Sequence, residues 1–462
     1  MSVATKARPV LVPDYCKGCE RCIASCIKDC FAPGTEVDPV SGLIPISLDL
    51  ENCNGCGLCF DACPEPFCLI PETDEGQLEK LLGHKPATVP TAEPEGDEPD
   101  ELIELPEQEP LLMKGTYASA VGALLAGCRH VFGYPITPST EGAELMAKVQ
   151  PELGGIFVQA VSEVATVNMM YGAGGAGRRC MTFTSSPGFS LMLEGISYMI
   201  GAEVPGVFVD IMRGGPGLGN IAPEQSDVKL ACHGLGHGNT HAIALAPATP
   251  QEMLDLTMLA FELSFRYRNP VVVLGDGYLG QITGRVRLPR RMVRPGLPRW
   301  AVSGDAAHRR NLISSIELEE ADLEQHNIAL NAKYAAMAEA EQRSDTYMTA
   351  GAEILLIAAN TPAQMTKDAV RELRAASHRV GLFRPVTIWP FPVDSLLPLL
   401  ERARQVVVVE ASSGQLEDEM RLALSHAGVA APSISHVRRM GGILPSAEEI
   451  AKHVLSVEEM AS

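Results

Sequence analysis

The sequence predicts an α/β protein built on parallel sheets, preceded by a small cysteine-rich domain that metal clusters organise. Ten of the 13 cysteines lie in the first 68 residues of a 462-residue chain. An acidic, proline-containing stretch follows them, and from about Leu112 onward short apolar strands alternate with helical patterns. Because strands that alternate with helices are typical of parallel sheets covered on both faces, we expect a doubly wound fold.

The cysteines near the N-terminus form two runs with the same spacing, C-x2-C-x2-C-x3-C. Three thiolates at two-residue gaps can bind three corners of one [4Fe–4S] cluster, and the fourth, beyond a short helical turn, reaches the other cluster. Zinc also binds C-x2-C pairs, but it needs only two such pairs and leaves the crossed spacing unexplained. Two [4Fe–4S] clusters are therefore predicted. The ligands of cluster one are Cys16, Cys19, Cys22 and Cys63, and those of cluster two are Cys53, Cys56, Cys59 and Cys26.

Two further cysteines lie beside these runs. Ile27 follows Cys26 where proline is usual, and Cys30 is close enough along the chain to be an alternative eighth ligand. Otherwise Cys30 and Cys68 are expected to be buried structural cysteines. Clustered cysteines in a long chain without a secretion signal indicate metal ligation in a reducing compartment.

Composition also limits the compartment and the partners. No apolar run reaches the roughly 18 residues that span a bilayer, and residues 1–8 lack the apolar core of a signal peptide. We therefore expect a cytoplasmic protein that does not enter a membrane. Nucleic-acid binding is not expected, because phosphate contacts need clustered Lys and Arg. The dense basic stretch from Arg285 to Arg294 is interpreted as a surface connection.

The formal charge of −20 is concentrated in one segment. Between Glu72 and Glu109 there are 13 acidic residues against two lysines, a net charge of −11. That segment is also rich in proline and poor in aromatic residues, which predicts an extended linker over residues 72–111. An acidic docking strip for a basic partner is the alternative interpretation.

From residue 112 onward, five apolar strands are each followed by a turn and usually by a helical pattern. This alternation predicts a parallel, doubly wound domain over residues 112–283. The predicted strands are His130–Tyr134, Ile156–Val161, Cys180–Thr184, Val207–Ile211 and Val271–Leu274.

The alternation returns after a basic connection and a charged helical stretch from Ile316 to Arg343. We predict a connecting segment over residues 284–345 and a second, smaller α/β domain over residues 346–462. Its strands are predicted at Ile354–Ala359, Val380–Phe383 and Gln405–Val409, and its helices near Ala363–Ala376 and Gln415–His426.

Polar residues follow the strands of the first domain, and ligands of open parallel sheets bind at this carboxyl edge. Thr137 follows the first strand and suits the N-cap of the next helix. Glu163 follows the second strand, where a buried acid needs a partner, although a surface glutamate at a helix N-terminus is the simpler interpretation. Ser186 follows the third strand.

Arg213 follows the fourth strand and precedes a glycine-rich loop, Gly214 to Gly219. Glycines beside an arginine let the backbone approach a ligand while the guanidinium binds a carboxylate. A plain flexible loop is the alternative interpretation.

Together these segments resemble the alpha subunit of 2-oxoacid:ferredoxin oxidoreductases, from about residue 112 to the C-terminus. The Gly214–Gly219 loop, with Gln225 and the Gly-His-Gly triplet around His237, looks similar to the branch that acts on branched-chain 2-oxoacids. Residues 1–71 resemble the small ferredoxin-type subunit of that family, here fused in front. The resemblance implies a pyrimidine-binding domain for thiamine diphosphate over residues 112–283 and a transketolase C-terminal-like domain over residues 346–462.

The resemblance also implies roles for the strand-end residues. Glu163 matches the glutamate that hydrogen-bonds the pyrimidine ring of thiamine diphosphate, which requires a dry site. Thr137 and Arg213 match the residues that hold the carboxylate and keto group of the 2-oxoacid. Ser186 is a further candidate for binding the cofactor.

By the same resemblance, the chain holds only part of a thiamine site. Asp276, between two glycines, looks like the start of a diphosphate–magnesium motif, but the next asparagine, Asn311, lies well beyond the expected position. We therefore assign no metal to Asp276 and expect a separate beta subunit to share the thiamine diphosphate and its Mg²⁺. A gamma subunit is expected as well.

The implied reaction is the oxidative decarboxylation of a 2-oxoacid, with branched-chain or aryl substrates favoured, to acyl-CoA and CO₂. Coenzyme A would be the co-substrate, and electrons would pass through the [4Fe–4S] clusters to ferredoxin or a flavoprotein. The same chemistry on 2-oxoglutarate, pyruvate or indolepyruvate stays open. So does a non-catalytic iron–sulfur subunit that transfers electrons or acts as a scaffold.

Overall fold

The computed structural model describes residues 7–38, 42–74, 76, 97–305, 307–308, 310–430 and 433–461. The chain divides into two compact units, residues 1–97 with 299–312 and residues 98–298 with 313–462. Each unit has its own core.

Among its described residues, the first unit contains two small antiparallel sheets and two short α-helices. Strands β1 and β4 pair with each other, and so do β2 and β3. Its core consists mainly of cysteines, with Phe31, Ile46 and Leu69 among the few other buried apolar residues. A core this small is typical of domains that metal ligands stabilise. The elements are β1 (Pro9–Leu11), α1 (Arg21–Ser25), β2 (Phe31–Ala32), β3 (Ser47–Leu48), α2 (Leu58–Ala62) and β4 (Leu69–Pro71).

The two cysteine runs fold alike. In each run a glycine with positive φ precedes the second cysteine, Gly18 at 64° and Gly55 at 66°. The residue after that cysteine is also left-handed, at Glu20 and Gly57. Helices α1 and α2 follow, and each contains the third cysteine of its run and ends at the fourth. The same spacing therefore produces the same backbone twice.

The second unit is built around a seven-stranded sheet in the order β18-β11-β12-β10-β9-β7-β8, in which only β18 is antiparallel to its neighbour. The chain passes from β7 to the edge strand β8 and returns to β9 on the other side of β7, so the sheet is doubly wound. The strands are β7 (His130–Gly133), β8 (Ile156–Gln159), β9 (Cys180–Thr184), β10 (Gly206–Met212), β11 (Ile243–Leu245), β12 (Pro270–Asp276) and β18 (Thr387–Trp389).

Helices cover this sheet. Helices α3 and α8 pack on each other, as do α5 and α6. The buried residues of α8 and of the strands belong to one continuous apolar core. The helices are α3 (Gly115–Leu125), α4 (Thr140–Val149), α5 (Glu163–Gly175), α6 (Ser186–Gly201), α7 (Val228–His233), α8 (Pro250–Tyr267) and α9 (Gly277–Gln281).

A five-stranded sheet, in the order β15-β17-β16-β19-β20, forms the second α/β domain. Only β15 is antiparallel to its neighbour. The elements are α10 (Glu320–Ala340), β15 (Ser344–Tyr347), β16 (Ile354–Ile357), α11 (Asn360–Ala375), β17 (Val380–Pro385), α12 (Val393–Leu400), β19 (Gln405–Glu410), α13 (Gln415–His426), β20 (Ser433–Arg438) and α14 (Ala447–Ala461).

The predicted fold class is confirmed, and every predicted strand is present to within two residues at each end. The sequence did not predict β11, β15, β18 or β20. The domain boundaries over residues 1–71, 112–283, 284–345 and 346–462 stay predictions.

The acidic linker predicted over residues 72–111 is wrong at its C-terminal end. There β5 (Glu101–Glu104) pairs with β14 (Arg291–Arg294), and β6 (Leu111–Lys114) pairs with β13 (Thr283–Val286). The acids match the basic stretch of the same chain: Glu101 contacts Arg294, Glu104 contacts Arg291 and Glu107 contacts Arg290, at 2.6 to 2.7 Å. Ladder hydrogen bonds and opposite charges order this part, while residues 77–96 lie outside the described ranges.

No helix within the described ranges is long and apolar enough to cross a membrane.

Candidate active site

Three loops at the carboxyl edge of the seven-stranded sheet are joined by hydrogen bonds. They follow β7, β9 and β10 and carry Thr137, Ser186 and Arg213. Strands β7 and β9 are neighbours, although the chain visits β8 between them. Such a switch point opens a crevice at the strand ends, so these loops occupy the position where doubly wound sheets bind ligands.

Glu163 is the first residue of α5, and its side chain is buried, with 5% of its surface exposed. Ser162 caps the helix, so the Glu163 carboxylate is not used for capping. None of the described residues donates a hydrogen bond to this carboxylate. A buried acid without a protein partner is costly, which indicates that a ligand satisfies it.

Gly188 leaves the space in which the Glu163 side chain lies. A Cβ atom at position 188 would be 2.7 Å from Oε1 of Glu163 and 2.5 Å from Oγ1 of Thr184. Both Oγ1 of Thr184 and Oγ of Ser185 are buried without a hydrogen-bond partner among the described residues. Both oxygens therefore border the space beside Gly188, and the Glu163 carboxylate is an acceptor that fits an N–H group of an aminopyrimidine ring.

Arg213 is the second buried charge at this edge, with 7% of its surface exposed. Its Nη1 atom donates to the carbonyl of Thr137 at 2.8 Å, and its Nη2 atom donates to the carbonyl of Leu218 at 3.1 Å. Nε has no partner, and no carboxylate among the described residues forms an ion pair with this guanidinium. A permanently charged group in this state fits an anionic ligand.

The predicted N-cap role of Thr137 is wrong. Helix α4 begins at Thr140, and Ser139, whose hydroxyl donates to the carbonyl of Ile136, occupies the N-cap position. Thr137 lies in the loop before the helix, with an exposed side chain and a cis peptide bond to Pro138. Its carbonyl orients Arg213, and its exposed side chain remains available to a ligand.

Ser186 is the first residue of α6, and its hydroxyl is used inside the protein. The hydroxyl donates to the Asp227 carboxylate and accepts the main-chain N–H of Arg213 at 3.0 Å. Ser226 lies 2.9 Å from the carbonyl of Arg213 and 3.1 Å from Asp227. Ser186 therefore holds Arg213 in place, and its predicted contact with the cofactor stays a prediction.

Asp210 and Asp227 are functional candidates that the sequence reasoning missed. Asp210 is fully buried in β10, and burial beside Asp227 raises the pKa of its carboxyl well above the usual range. Burial also raises the pKa of Asp227. The available signal was the isolated acid in the otherwise apolar strand Gly206–Met212.

The glycine-rich loop after Arg213 is tied to the second α/β domain, in contrast to the flexible-loop alternative. Oε2 of Glu224 accepts the main-chain N–H groups of Gly215 at 3.2 Å and Gly441 at 3.1 Å. The side-chain amide of Asn220 donates to the carbonyl of Gly441 at 3.0 Å. Gly219 has a φ of 54°, and a Cβ atom there would be 1.8 Å from the carbonyl oxygen of Gly214.

In the first unit, one cavity is lined by the four cysteines predicted for cluster two. Cys26, from the first run, lies there with Cys53, Cys56 and Cys59 from the second. The main-chain N–H of Cys30 donates to Sγ of Cys26 at 3.4 Å, an arrangement that stabilises a thiolate. This grouping fits the crossed ligand pattern.

The cysteines predicted for cluster one are grouped in the same way. Cys22 lies close to Cys16 and to Cys63 of the second run. The main-chain N–H of Ile46 donates to Sγ of Cys16 at 3.4 Å, while Cys19 is exposed. The donor set fits a second [4Fe–4S] cluster, and the ligand assignment stays a prediction.

Cys30 and Cys68 each lie beside one of these groups. The Cys30 thiol lines the cavity of Cys26 and donates to the carbonyl of Lys28 at 3.7 Å. Cys68 is buried beside Cys16 and Cys63. The hydrogen bond from Cys30 to Cys26 favours Cys26 as the ligand and Cys30 as its neighbour.

Asp276 is fully occupied by the protein. Its Oδ1 atom accepts the N–H groups of Tyr278 and Leu279 at 3.0 Å, and Thr361 donates to both carboxylate oxygens. Asp276 therefore caps α9 and links it to α11. Within the described ranges, no group of three or more His, Cys, Asp or Glu side chains is arranged to hold a single metal ion.

Three family models match the chain. The thiamine-diphosphate-binding domain of pyruvate flavodoxin/ferredoxin oxidoreductase matches residues 121–339, and core domain II of pyruvate:ferredoxin oxidoreductase matches residues 352–450. A 4Fe-4S binding domain matches residues 46–66. The first match contains Thr137, Glu163, Ser186 and Arg213, and the last contains three of the four cysteines of cluster two.

Two curated relatives are similar over most of their length. The ketoisovalerate oxidoreductase subunit VorB of Methanothermobacter marburgensis is 45% identical over 348 residues, which cover 75% of this chain and 97% of VorB. The 2-oxoglutarate synthase subunit KorA of Methanocaldococcus jannaschii is 34% identical over 373 residues, which cover 74% of this chain and 98% of KorA.

A solved structure is similar in fold and sequence. It is the 2-oxoglutarate:ferredoxin oxidoreductase of Magnetococcus marinus with 2-oxoglutarate, coenzyme A and succinyl-CoA bound. The TM-score is 0.69 at 26% identity, over 76% of this chain and 65% of the other.

Proposed function

This chain belongs to the family of 2-oxoacid:ferredoxin oxidoreductase subunits, and we propose that it is a fused ferredoxin and alpha subunit that binds the 2-oxoacid and part of thiamine diphosphate. The reaction is the oxidative decarboxylation of the 2-oxoacid to acyl-CoA and CO₂. The observation that carries the proposal is the buried Arg213, whose guanidinium has no carboxylate partner among the described residues, at the edge where Glu163 is also unpartnered.

Arg213 and Thr137 bind the substrate in this proposal. The guanidinium, whose Nε–H is buried without a hydrogen-bond partner among the described residues, donates to the substrate carboxylate, while Nη1 and Nη2 fix its orientation by donating to the Thr137 and Leu218 carbonyls. The side chain of Thr137 is exposed in the loop that contacts Arg213, and in this proposal its hydroxyl donates to the keto oxygen. Held in this way, the 2-oxoacid presents its keto carbon in one orientation.

Glu163 binds the pyrimidine end of the cofactor. Its carboxylate accepts a hydrogen bond from the ring. Burial of Glu163 excludes water, which strengthens this hydrogen bond. Thiamine diphosphate, when bound, supplies the electron sink for decarboxylation. Ser186 is retained as a weaker candidate for a cofactor contact.

The cysteine runs hold two [4Fe–4S] clusters that carry electrons singly. Cys16, Cys19, Cys22 and Cys63 would ligate the first, and Cys53, Cys56, Cys59 and Cys26 the second. Backbone N–H donors to Cys16 and Cys26 would help to set the cluster potentials. Ferredoxin or a flavoprotein would then accept the electrons.

A branched-chain 2-oxoacid is the substrate we favour. The loop that follows Arg213 exposes Leu218 and Ile221, with 81% and 61% of their surfaces accessible. Apolar side chains beside the carboxylate site suit an apolar substrate tail, whereas a dicarboxylate needs a second cation. The higher identity to a ketoisovalerate oxidoreductase subunit supports the same choice. 2-Oxoglutarate is the second candidate, because two of the similar proteins are named for it.

A beta subunit would complete the site. Asp276 is occupied by helix α9 and Thr361, so we place the diphosphate and its Mg²⁺ on a partner. Val161 precedes Glu163 and is 88% exposed, and Leu218 lies beside Arg213, so apolar surface surrounds the proposed site. Such surface is typical of protein interfaces. The chain purified alone should therefore not retain stoichiometric thiamine diphosphate. A gamma subunit is proposed from the family alone.

The test is an activity assay of the complex isolated anaerobically with its partners. Reduction of a viologen dye is measured with branched-chain, aryl and indolyl 2-oxoacids, pyruvate and 2-oxoglutarate, each with and without coenzyme A. We expect a branched-chain 2-oxoacid to give the highest kcat/KM and omission of coenzyme A to stop turnover. If no 2-oxoacid reduces the dye although iron and partners are present, the scaffold alternative is correct.

A further inference from the structure

Asp210 is an acid inside a strand that is otherwise apolar and completely buried. Neither of its carboxyl oxygens accepts a hydrogen bond from an N–H or hydroxyl group of the described residues. The group that faces it is the carboxyl of Asp227, which is itself buried, with 6% of its surface exposed. Two ionised carboxylates in this position would repel each other in a medium that screens weakly, so a shared proton is required.

The surroundings decide which acid carries the proton. Asp227 accepts a hydrogen bond from the Ser186 hydroxyl, which stabilises a carboxylate, while Asp210 has no such donor. The Glu224 carboxylate also lies near Asp227 and adds negative charge. The Arg213 guanidinium is directed toward the Thr137 and Leu218 carbonyls. A neutral Asp210 that donates to an ionised Asp227 gives both carboxyl groups of the pair a hydrogen bond.

Two serine side chains, Ser186 and Ser226, link Asp227 to the main chain of Arg213. The Ser186 hydroxyl donates to Asp227 and accepts the N–H of Arg213 at 3.0 Å. The Ser226 hydroxyl lies 2.9 Å from the carbonyl of Arg213 and 3.1 Å from Asp227. The N–H of Arg213 is thus held by the Ser186 hydroxyl, whose orientation Asp227 fixes, and its carbonyl accepts from the Ser226 hydroxyl beside Asp227.

We propose that Asp210 is a protonated carboxylic acid which donates a hydrogen bond to Asp227, and that this pair positions Arg213 for binding the substrate carboxylate. The positioning of Arg213 for the substrate rests on the proposed function, while the protonation of Asp210 does not. Asp210 and Asp227 are positioning residues, because they act through Ser186 and Ser226.

The pair gives a clear expectation for three variants. Asp210→Asn keeps a neutral donor toward Asp227, so kcat and KM should stay within about threefold of the wild type. Asp210→Leu keeps the branching of the side chain but removes the donor, and the KM for the 2-oxoacid should rise by roughly tenfold with a smaller change in kcat. Ser226→Ala leaves the pair intact but frees the Arg213 carbonyl, and it should raise KM in the same direction.

The experiment combines infrared spectroscopy with these kinetics on the complex purified with its partners. The wild type should show the carbonyl stretch of a protonated carboxylic acid that shifts in D₂O. This band should be absent in Asp210→Asn and unchanged in the control Asp368→Asn, which alters an exposed acid on α11. A band that persists in Asp210→Asn overturns the protonation.

The kinetic outcomes separate the two halves of the proposal. Equal KM values for Asp210→Asn and Asp210→Leu, with the band behaving as expected, overturn the positioning role alone. If Asp210→Leu does not accumulate, Asp210→Ala is measured instead, and a KM equal to that of Asp210→Asn overturns the positioning role. A complex that turns over no 2-oxoacid refutes the proposed function, and the infrared comparison still tests the protonation.

Discussion

Nη1 of Arg213 donates a hydrogen bond to the main-chain carbonyl of Thr137 across 2.8 Å, and this bond joins the loops that follow β10 and β7. The two residues are 76 positions apart in the sequence. The sheet brings them together because β7, β9 and β10 are parallel neighbours whose carboxyl ends share one edge. The carbonyl satisfies one arm of the guanidinium, while Nε is buried without a hydrogen-bond partner among the described residues.

Replacing Arg213 should weaken substrate binding strongly. In Arg213→Lys the ammonium cannot bond the Thr137 carbonyl, the Leu218 carbonyl and a carboxylate with the same fork geometry. We expect kcat/KM to fall by roughly 100-fold, mostly through KM. Steady-state kinetics of the complex with the preferred 2-oxoacid measure this. The exposed Arg371→Lys is the control, and a loss shared by both variants would contradict the assignment.

Adding a methyl group at Gly188 should displace Glu163. The new Cβ atom would lie 2.7 Å from Oε1 of Glu163 and 2.5 Å from Oγ1 of Thr184, closer than van der Waals contact permits. We expect Gly188→Ala to lower both turnover and the thiamine diphosphate retained after gel filtration. Gly172→Ala, in helix α5, is the matched control, because no atom lies within 4 Å of its added Cβ. The control should be neutral or more stable by up to about 1 kcal/mol.

Cys26 and Cys30 should respond differently to substitution. Since the N–H of Cys30 donates to Sγ of Cys26, we expect Cys26→Ser to lose roughly half of the cluster iron and Cys30→Ser to retain it. Iron analysis and electron paramagnetic resonance after anaerobic reduction measure the outcome. Retention of both clusters in Cys26→Ser, with loss in Cys30→Ser, would make Cys30 the eighth ligand.

The contact between His233 and Glu419 predicts a dependence of stability on pH. Nε2 of His233 lies 2.8 Å from Oε2 of Glu419, and this hydrogen bond raises the pKa of His233. A raised folded-state pKa means that the stabilisation is complete below the unfolded value of about 6.5 and is lost as pH rises through the folded value. The melting temperature of the wild type should therefore fall more than that of His233→Gln as the pH rises from about 6 to about 8. Parallel pH curves for the two proteins would refute this link between α7 and α13.

Much of the fold and part of the site could be predicted from the sequence, for identifiable reasons. The strands of the first domain are apolar runs bounded by turns. The cysteine spacing by itself predicts the ligation of [4Fe–4S] clusters. Strand β18 could not be predicted, because it follows β17 after one residue and yet joins the other sheet beside β11. Which of the two sheets β18 joins depends on tertiary packing.

The acidic segment shows the same limit. Its composition predicts a linker. In the structure Glu101 and Glu104 form ion pairs with Arg294 and Arg291, nearly 200 residues away, across a short antiparallel strand pair. Asp210 was missed for a related reason. A single acid in a strand is informative only when its partner is known, and Asp227 lies in a loop that the pattern does not place.

The most direct test is to replace Glu163 by glutamine in the complex assembled with its partners. Glutamine keeps the volume but lacks the charge that would polarise the bound pyrimidine ring. We predict that 2-oxoacid- and coenzyme-A-dependent dye reduction falls by roughly 100-fold or more, while iron content and subunit assembly are unchanged. Wild-type turnover in this variant, with cysteine substitutions still abolishing activity, would contradict the catalytic role and leave the chain as an electron-transfer scaffold.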